Sequence, residues 1–177
     1  SFELVTIKKG KTNRKPSPPF TTDTLLQSSS SSLGWSMSKT SKIASDLYNK
    51  GYITYIRTDS TRTSSGARDA AKEIILEKYG EDYLGPGALG SDAKKAATNV
   101  QDAHEAIRPT DPKLVEPSDV EIDYVRLYRL IRSRFLSSQM SVSVRERREL
   151  TASVSASELL ISGTASWRIH AGWEAEY

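Results

Sequence analysis

Gly51-Tyr52-Ile53-Thr54-Tyr55-Ile56-Arg57-Thr58-Asp59-Ser60 is the stretch on which the reading of this chain turns. Residues 52–57 are β-branched and aromatic, so they read as a strand. Period two along a strand puts Ile53, Tyr55 and Arg57 on one face. A phenol and a guanidinium then project side by side, a pairing suited to attack on a phosphodiester. Tyrosine can form a phosphotyrosyl ester, which divides one difficult step into two reversible ones. Arginine can grip phosphate oxygens with a planar fork and stabilise charge as it develops. An unperturbed phenol titrates at about 10, so such a nucleophile needs help to lose its proton. The plainer alternative is an aromatic core strand that ends in a surface arginine. Residues 58–64 are polar and turn-like.

Working outward, Ser36 or Ser38 caps a helix through Ile43, Leu47 and Tyr48, with Gly51 as its stop. Before it, Thr21 or Thr22 caps a helix carrying Leu25 and Leu26 that ends near Gly34. The serine run 28–32 is poor in helix formers, and its alternative is a flexible low-complexity patch. Lys15-Pro16-Ser17-Pro18-Pro19 is a stiff, extended connector and marks a boundary. Residues 2–7 alternate as a short strand, with the basic run Lys8, Lys9, Lys11, Arg14 and Lys15 after it.

On the other side, a helix carries Ala67, Ala70, Ala71, Ile74 and Ile75 and ends at Gly80. Residues 85–95 form a loop. Asp102 with Glu105 makes a capping box for a short helix that must stop before Pro109. Ser118 with Glu121 makes another, opening a helix with the stripe Tyr124, Leu127, Tyr128, Ile131 and Phe135. From Ser141 the pattern alternates, and residues 150–156, 159–163 and 165–169 read as antiparallel strands. The order is strand, helical middle, strands. It describes an α+β chain in which a mainly helical domain, residues 16–140, is inserted into a β-rich one made of residues 1–15 and 141–177.

Asp102-Ala103-His104-Glu105-Ala106-Ile107-Arg108-Pro109-Thr110 is the second group with chemistry in it. On a helical turn His104 and Arg108 lie one above the other, and both can face a phosphate. Histidine is the side chain that changes charge near neutral pH. The alternative is that His104 packs or caps while Arg108 pairs with an acid. Glu105 beside His104 makes no metal site, because no further ligands lie at suitable spacing.

Composition narrows the partners. Hydrophobic residues make up 37% and charged residues 27%, with a net charge of +3. Further basic clusters stand at Arg126, Arg129, Arg132 and Arg134, and at Arg145, Arg147 and Arg148. They are either solvated faces or a footprint for nucleic acid, which they suit better than a membrane. Cysteine is absent, which excludes disulfides, thiol catalysis and cysteine zinc sites within this chain. No apolar run is long enough to span a bilayer, and no signal-peptide core is present. Starting without Met, the chain reads as cut from a longer polypeptide. A glycine-rich nucleotide loop and the paired histidines of metal-dependent relaxases are both missing.

The stretch 51–60 resembles the active-site signature of type IA DNA topoisomerases, and 102–110 resembles that family's second signature. Pro19-Phe20-Thr21-Thr22 with Thr24-Leu25 is similar to the segment that opens the same domain. Residues 127–140 are similar to the helix that closes it. The resemblance implies a partial toroidal core: a helical, tyrosine-bearing domain inserted in a β-rich arch. It implies transient single-strand cleavage and religation through a 5′-phosphotyrosyl intermediate, relaxing negative supercoils. Tyr55 is then the nucleophile and Arg57 assists at the scissile phosphate. His104, Arg108, Thr58 and Asp59 fall near the DNA. Magnesium (Mg2+) is implied for the complete enzyme, held by acids of a separate Toprim domain, with no metal ligands in this chain. The implied partners are single-stranded or negatively supercoiled DNA and the remaining domains, in a bacterial cytoplasm at the nucleoid. Without those domains this chain is expected to be inactive. A different reading of the same residues is a noncatalytic single-stranded DNA-binding module, with Tyr52 and Tyr55 stacking on bases. A third is a structural domain with Tyr55 in its core.

Overall fold

The computed structural model describes residues 2–86, 104–154 and 159–177. Strand β1 (Phe2–Arg14) is followed by helices α1 (Thr22–Leu33), α2 (Met37–Asn49) and α3 (Ser65–Lys78). A 3₁₀ turn at Glu81–Tyr83 comes next, then α4 (Ile122–Ser138), β2 (Ser143–Val154), β3 (Leu160–His170) and a 3₁₀ turn at Gly172–Ala175. This is the α+β organisation expected, with the helices between the first strand and the last two.

The strands form one antiparallel sheet in the order β1-β2-β3. The register runs from Phe2 opposite Val154 to Arg14 opposite Ser143. Strand β1 is therefore longer than the expected 2–7, and the basic run lies inside it. Lys8 stands opposite Glu149 and Lys11 opposite Glu146. Pairing with β2 overrides the low strand propensity of Lys, Gly and Asn, because the backbone groups that face β2 gain ladder partners. The expected strands 159–163 and 165–169 are one strand, continuous through Gly163 and Thr164. Residues 5–14 and 160–169 are exposed on both faces, so the core lies elsewhere.

It lies among the helices. Phe20, Leu25, Trp35, Ile43, Ala44, Leu47, Ile53, Ile107, Leu127, Tyr128 and Ile131 form the main cluster. Ala67, Ala71, Phe135 and Leu136 form a second. Helix α4 serves both, and Leu127, Tyr128, Ile131 and Phe135 of its predicted stripe are fully buried. Its predicted cap is not used: Glu121 stands at the N-cap without a side-chain bond, and Asp119 instead accepts from the Tyr52 hydroxyl. Helix α1 survives its serines through its ends and its neighbours. Thr21 and Thr24 cap each other's backbone N–H, and Gly34 stops it at φ 70°. Ser29 is buried and shares a hydrogen bond of 2.8 Å with Thr40 of α2. The polar run is thus a helix, because tertiary bonding outweighs a few tenths of a kcal/mol per residue of propensity.

Two short pairings close the helical part. Leu84 bridges Met140, and the Gly85 N–H donates to the Gln139 carbonyl at 2.9 Å. Only glycine fits there, since a Cβ would overlap the Met140 carbonyl. At the root of the sheet, Glu174 takes Arg168 at 3.1 Å and Arg145 at 3.2 Å, and Trp173 donates to the Arg14 carbonyl at 3.0 Å. Glu176, two residues on, takes Lys78 of α3 at 3.1 Å and Arg132 of α4 at 3.6 Å. One turn of chain therefore ties all three strands to both helices.

Candidate active site

Helix α2 ends at Asn49, and Gly51, at φ 81°, turns the chain back. The next residues do not make a strand of the expected length. They pair briefly with residues 106–110. The Thr110 N–H donates to the Tyr52 carbonyl at 3.0 Å and the Thr54 N–H to the Arg108 carbonyl at 2.9 Å, with Ile53 bridged to Pro109. Threonine side chains extend the pairing. Thr54 Oγ1 donates to the Ala106 carbonyl at 2.7 Å and accepts from the Arg108 N–H at 3.0 Å. Thr110 Oγ1 donates to the Gly51 carbonyl at 2.6 Å. The two signature segments are thus laced together directly. The ladder ends early because the Arg108 N–H goes to a side chain and the Tyr52 N–H goes to the Leu47 carbonyl.

The expected common face of Ile53, Tyr55 and Arg57 is lost with the strand. Ile53 is 1% exposed, in the core, while Tyr55 is 43% exposed and Arg57 is also on the surface. The Tyr55 ring meets Tyr48 edge-on at 5.3 Å and lies 6.1 Å from the His104 ring, tilted by 33°. Among the described residues its hydroxyl has no hydrogen-bond partner, and Arg57 makes neither a hydrogen bond nor an ion pair. Tyr52 differs. Its hydroxyl donates to Asp119, a bond that raises its pKa, and its ring sits edge-on to Tyr128 at 6.3 Å.

The chain beyond Arg57 is held by its own hydroxyls. Thr58 is buried; its Oγ1 accepts from the Ser60 N–H at 3.0 Å, and Ser60 Oγ accepts from the Arg62 N–H at 3.2 Å. Asp59 between them is exposed. The Arg62 carbonyl accepts from Ala106 at 2.8 Å, and the Phe20 carbonyl accepts from Ile107 at 2.8 Å.

His104 and Arg108 do not stack on a helical turn. Residues 104–110 are extended, as the proline after Arg108 favours. Asp102, half of the expected capping box, lies outside the described residues, and Glu105 has another task. Glu105 Oε2 accepts from Arg108 at 2.5 and 2.9 Å, while the same guanidinium reaches the Pro109 carbonyl at 2.9 Å and Ser64 Oγ at 3.3 Å. The Arg108 side chain is only 11% exposed. So His104 goes to the Tyr55 ring and Arg108 braces the loop. The arginines of α4 are engaged too. Arg126 pairs with Asp123, Arg129 with Glu116 and Arg132 with Glu176, and Arg134 lies over the Phe20 ring at 4.3 Å. Among the described residues no group of three or more His, Asp or Glu side chains is placed to hold a metal ion.

Sequence reasoning missed Tyr48 and Thr22 as parts of this site. Tyr48 was readable only as the end of a helix, and Thr22 only as a possible cap. Neither position carries a periodicity that points to Tyr55 or Arg57.

The chain is similar to known proteins along its length. The family model described as DNA topoisomerase matches residues 1–177. The chain belongs to the DNA topoisomerases. The DNA topoisomerase 1 of Fervidobacterium islandicum is 41% identical over 157 residues, covering 81% of this chain and 22% of that protein. A DNA topoisomerase 1 of prokaryotic type from Acanthamoeba polyphaga mimivirus is 43% identical over 141 residues, covering 78% and 16%. The full-length topoisomerase I structure from Thermotoga maritima superposes with a TM-score of 0.80 at 35% identity, over 98% of this chain and 29% of that one. Within the family these residues are a segment of the type IA core, spanning between about a sixth and a third of the relatives they match. Among the described residues no helix is long and apolar enough to cross a membrane.

Proposed function

We propose that Tyr55 is the nucleophile of a DNA strand-transfer reaction. The observation that carries this is its exposed side chain, whose hydroxyl has no partner among the described residues, on a loop braced by the second signature. The phenolate oxygen attacks a backbone phosphorus. A 5′-phosphotyrosyl ester forms, the bond to the 3′ oxygen breaks, and that oxygen leaves and takes up a proton. Religation is the reverse: the 3′ hydroxyl attacks the ester and Tyr55 leaves with its proton restored. Between the two steps a strand can pass, which relaxes negative supercoils. Arg57 stabilises the charge that gathers on the phosphate oxygens. His104, beside the Tyr55 ring, faces the DNA with Asp59. Thr58 and Arg108 act through the loop they hold, not through free contacts.

The substrate in this reading is single-stranded or negatively supercoiled DNA, met in the cytoplasm of a bacterial cell at the nucleoid. The remaining domains of the enzyme complete the site. Magnesium belongs with acids of a Toprim domain, outside these residues. A noncatalytic single-stranded DNA-binding module has less support, because Tyr52 is bound to Asp119 and packed on Tyr128 instead of open to bases.

The test is Tyr55→Phe in the full-length polypeptide. The ring and its contacts remain, so DNA binding survives, while the covalent protein–DNA complex trapped by denaturant disappears. A covalent complex formed by the Phe variant overturns the assignment.

A further inference from the structure

Arg57 lies between two peptide groups that one residue holds. Thr22 Oγ1 donates to the Ile56 carbonyl at 2.6 Å and accepts from the Thr58 N–H at 3.0 Å. The Thr22 N–H donates to the Thr58 carbonyl at 3.0 Å. These bonds grip the backbone on both sides of Arg57, whose own side chain has no polar partner among the described residues. Thr22 is in turn well anchored. It is the first residue of α1, next to the Thr21–Thr24 cap, and Phe20 just before it is bonded to Ile107 of the second signature.

We propose that Thr22 is a positioning residue for Arg57: its hydroxyl fixes the backbone from which the guanidinium reaches the scissile phosphate. This rests on the reading of Arg57 given above. Thr22 need not touch DNA. A hydroxyl is the group required, because it must donate to one peptide and accept from the next at the same point. Valine has the same shape and can do neither. Without the clamp, the backbone at residues 56–58 gains freedom and Arg57 is less often aimed. A group that acts on transition-state charge is sensitive to such misplacement, while ground-state binding spread over many contacts is not.

The experiment is a double-mutant cycle in the full-length polypeptide. Thr22→Val and Thr22→Ser are each made with Arg57 intact and with Arg57→Lys. Single-turnover cleavage rate, DNA affinity and Tm are measured for all. Thr22→Val is expected to slow cleavage by between about 10- and 100-fold, with affinity unchanged within about twofold. Thr22→Ser keeps the donor and acceptor and is expected to restore the rate to within about threefold. In the Arg57→Lys background Thr22→Val should add less than about twofold, because the group it aims is already lost. A wild-type rate for Thr22→Val overturns the proposal. So does an equal loss in both backgrounds, which assigns Thr22 to the fold alone. If Arg57→Lys itself cleaves at the wild-type rate, the role given to Arg57 fails first, and the role of Thr22 falls with it. Should Thr22→Val lose its cooperative thermal transition, Thr22→Ala, which keeps the N–H bond to Thr58, takes its place in the same cycle.

Discussion

Tyr52 and Tyr55 stand three positions apart, and their surroundings give them different chemistry. Tyr52 donates to an ionised carboxylate, so losing its proton would set two negative charges together, and its pKa is raised. Tyr55 has ring neighbours in Tyr48 and His104, and among the described residues its hydroxyl has no hydrogen-bond partner. Arg57 and Arg108 divide in the same way. Arg108 gives its donors to Glu105, Pro109 and Ser64, whereas Arg57 has none of them committed among the described residues. An uncommitted guanidinium can spend its fork on a phosphate. Arg57→Lys keeps the charge and loses the fork. We expect cleavage to slow by about 100-fold, in line with loss of a transition-state donor, and DNA affinity to change little. Equal losses in rate and affinity, measured by single-turnover cleavage and equilibrium binding, would make Arg57 an ordinary phosphate anchor.

Helix α4 is the element that the rest of the helical part is built on. Tyr128 shows how completely it is enclosed. Its hydroxyl reaches the Leu114 carbonyl at 2.8 Å, and burial pushes its pKa up to about 12. Ile131 is fully buried in the same cluster as Ile53 and Ile107, which carry the two signature segments. Ile131→Ala should therefore reach the site as well as the core. A large-to-small change at such a position costs about 2–5 kcal/mol. Denaturant unfolding should show that loss, with DNA cleavage in the full-length polypeptide failing at a lower temperature than in the wild type. A loss below about 1 kcal/mol would mean that the cluster closes over the gap.

The molecule as a whole hangs on the turn that holds Glu174 and Glu176. Burial acts to raise the Glu174 carboxyl, but Arg168, Ser143 and Arg145 outweigh it and hold the group below its ordinary value. A carboxylate lowered in the folded state adds stability above its unfolded pKa of about 4.3, and the contribution disappears as pH falls through the folded value. Tm should thus drop on acidification below about pH 4.3, and Glu174→Gln should lower Tm at neutral pH while flattening that part of the curve. An unchanged acid limb in the variant would show that other carboxylates govern it. Among the described residues the buried clusters contain none from β1, β2 or β3, so the helical part supplies most of the described core. We expect the 177-residue chain to fold and bind single-stranded DNA weakly, with affinity that falls as salt rises. Incubated alone with a labelled oligonucleotide and magnesium, it should form no covalent adduct after denaturation. Adding a separately expressed Toprim-containing piece should restore one. An adduct from the chain alone would show that these residues suffice for the chemistry.

Much of this was present in the order of the amino acids. Local rules placed four helices, because caps such as Thr21 and Ser36 and stops such as Gly34 and Gly51 act within a few residues. The α4 stripe announced its buried face, and the alternation after Ser141 announced strands. The two signatures identified the family before any distance was known. What the order of residues could not say is where each group would end up relative to the others. Residues 52–57 have strand composition, yet the N–H groups of Tyr52 and Arg108 bond outside the ladder, so it stops and Ile53 parts from Tyr55. Residues 104–110 have helical spacing, yet bonds to residues 20, 54 and 62 draw them straight. Thr22 reaches Ile56 and Thr58, more than thirty positions along the chain, only because α1 packs against the rest of the helical core. Those are long-range contacts, set by the closing of the core, and no window along the chain contains them.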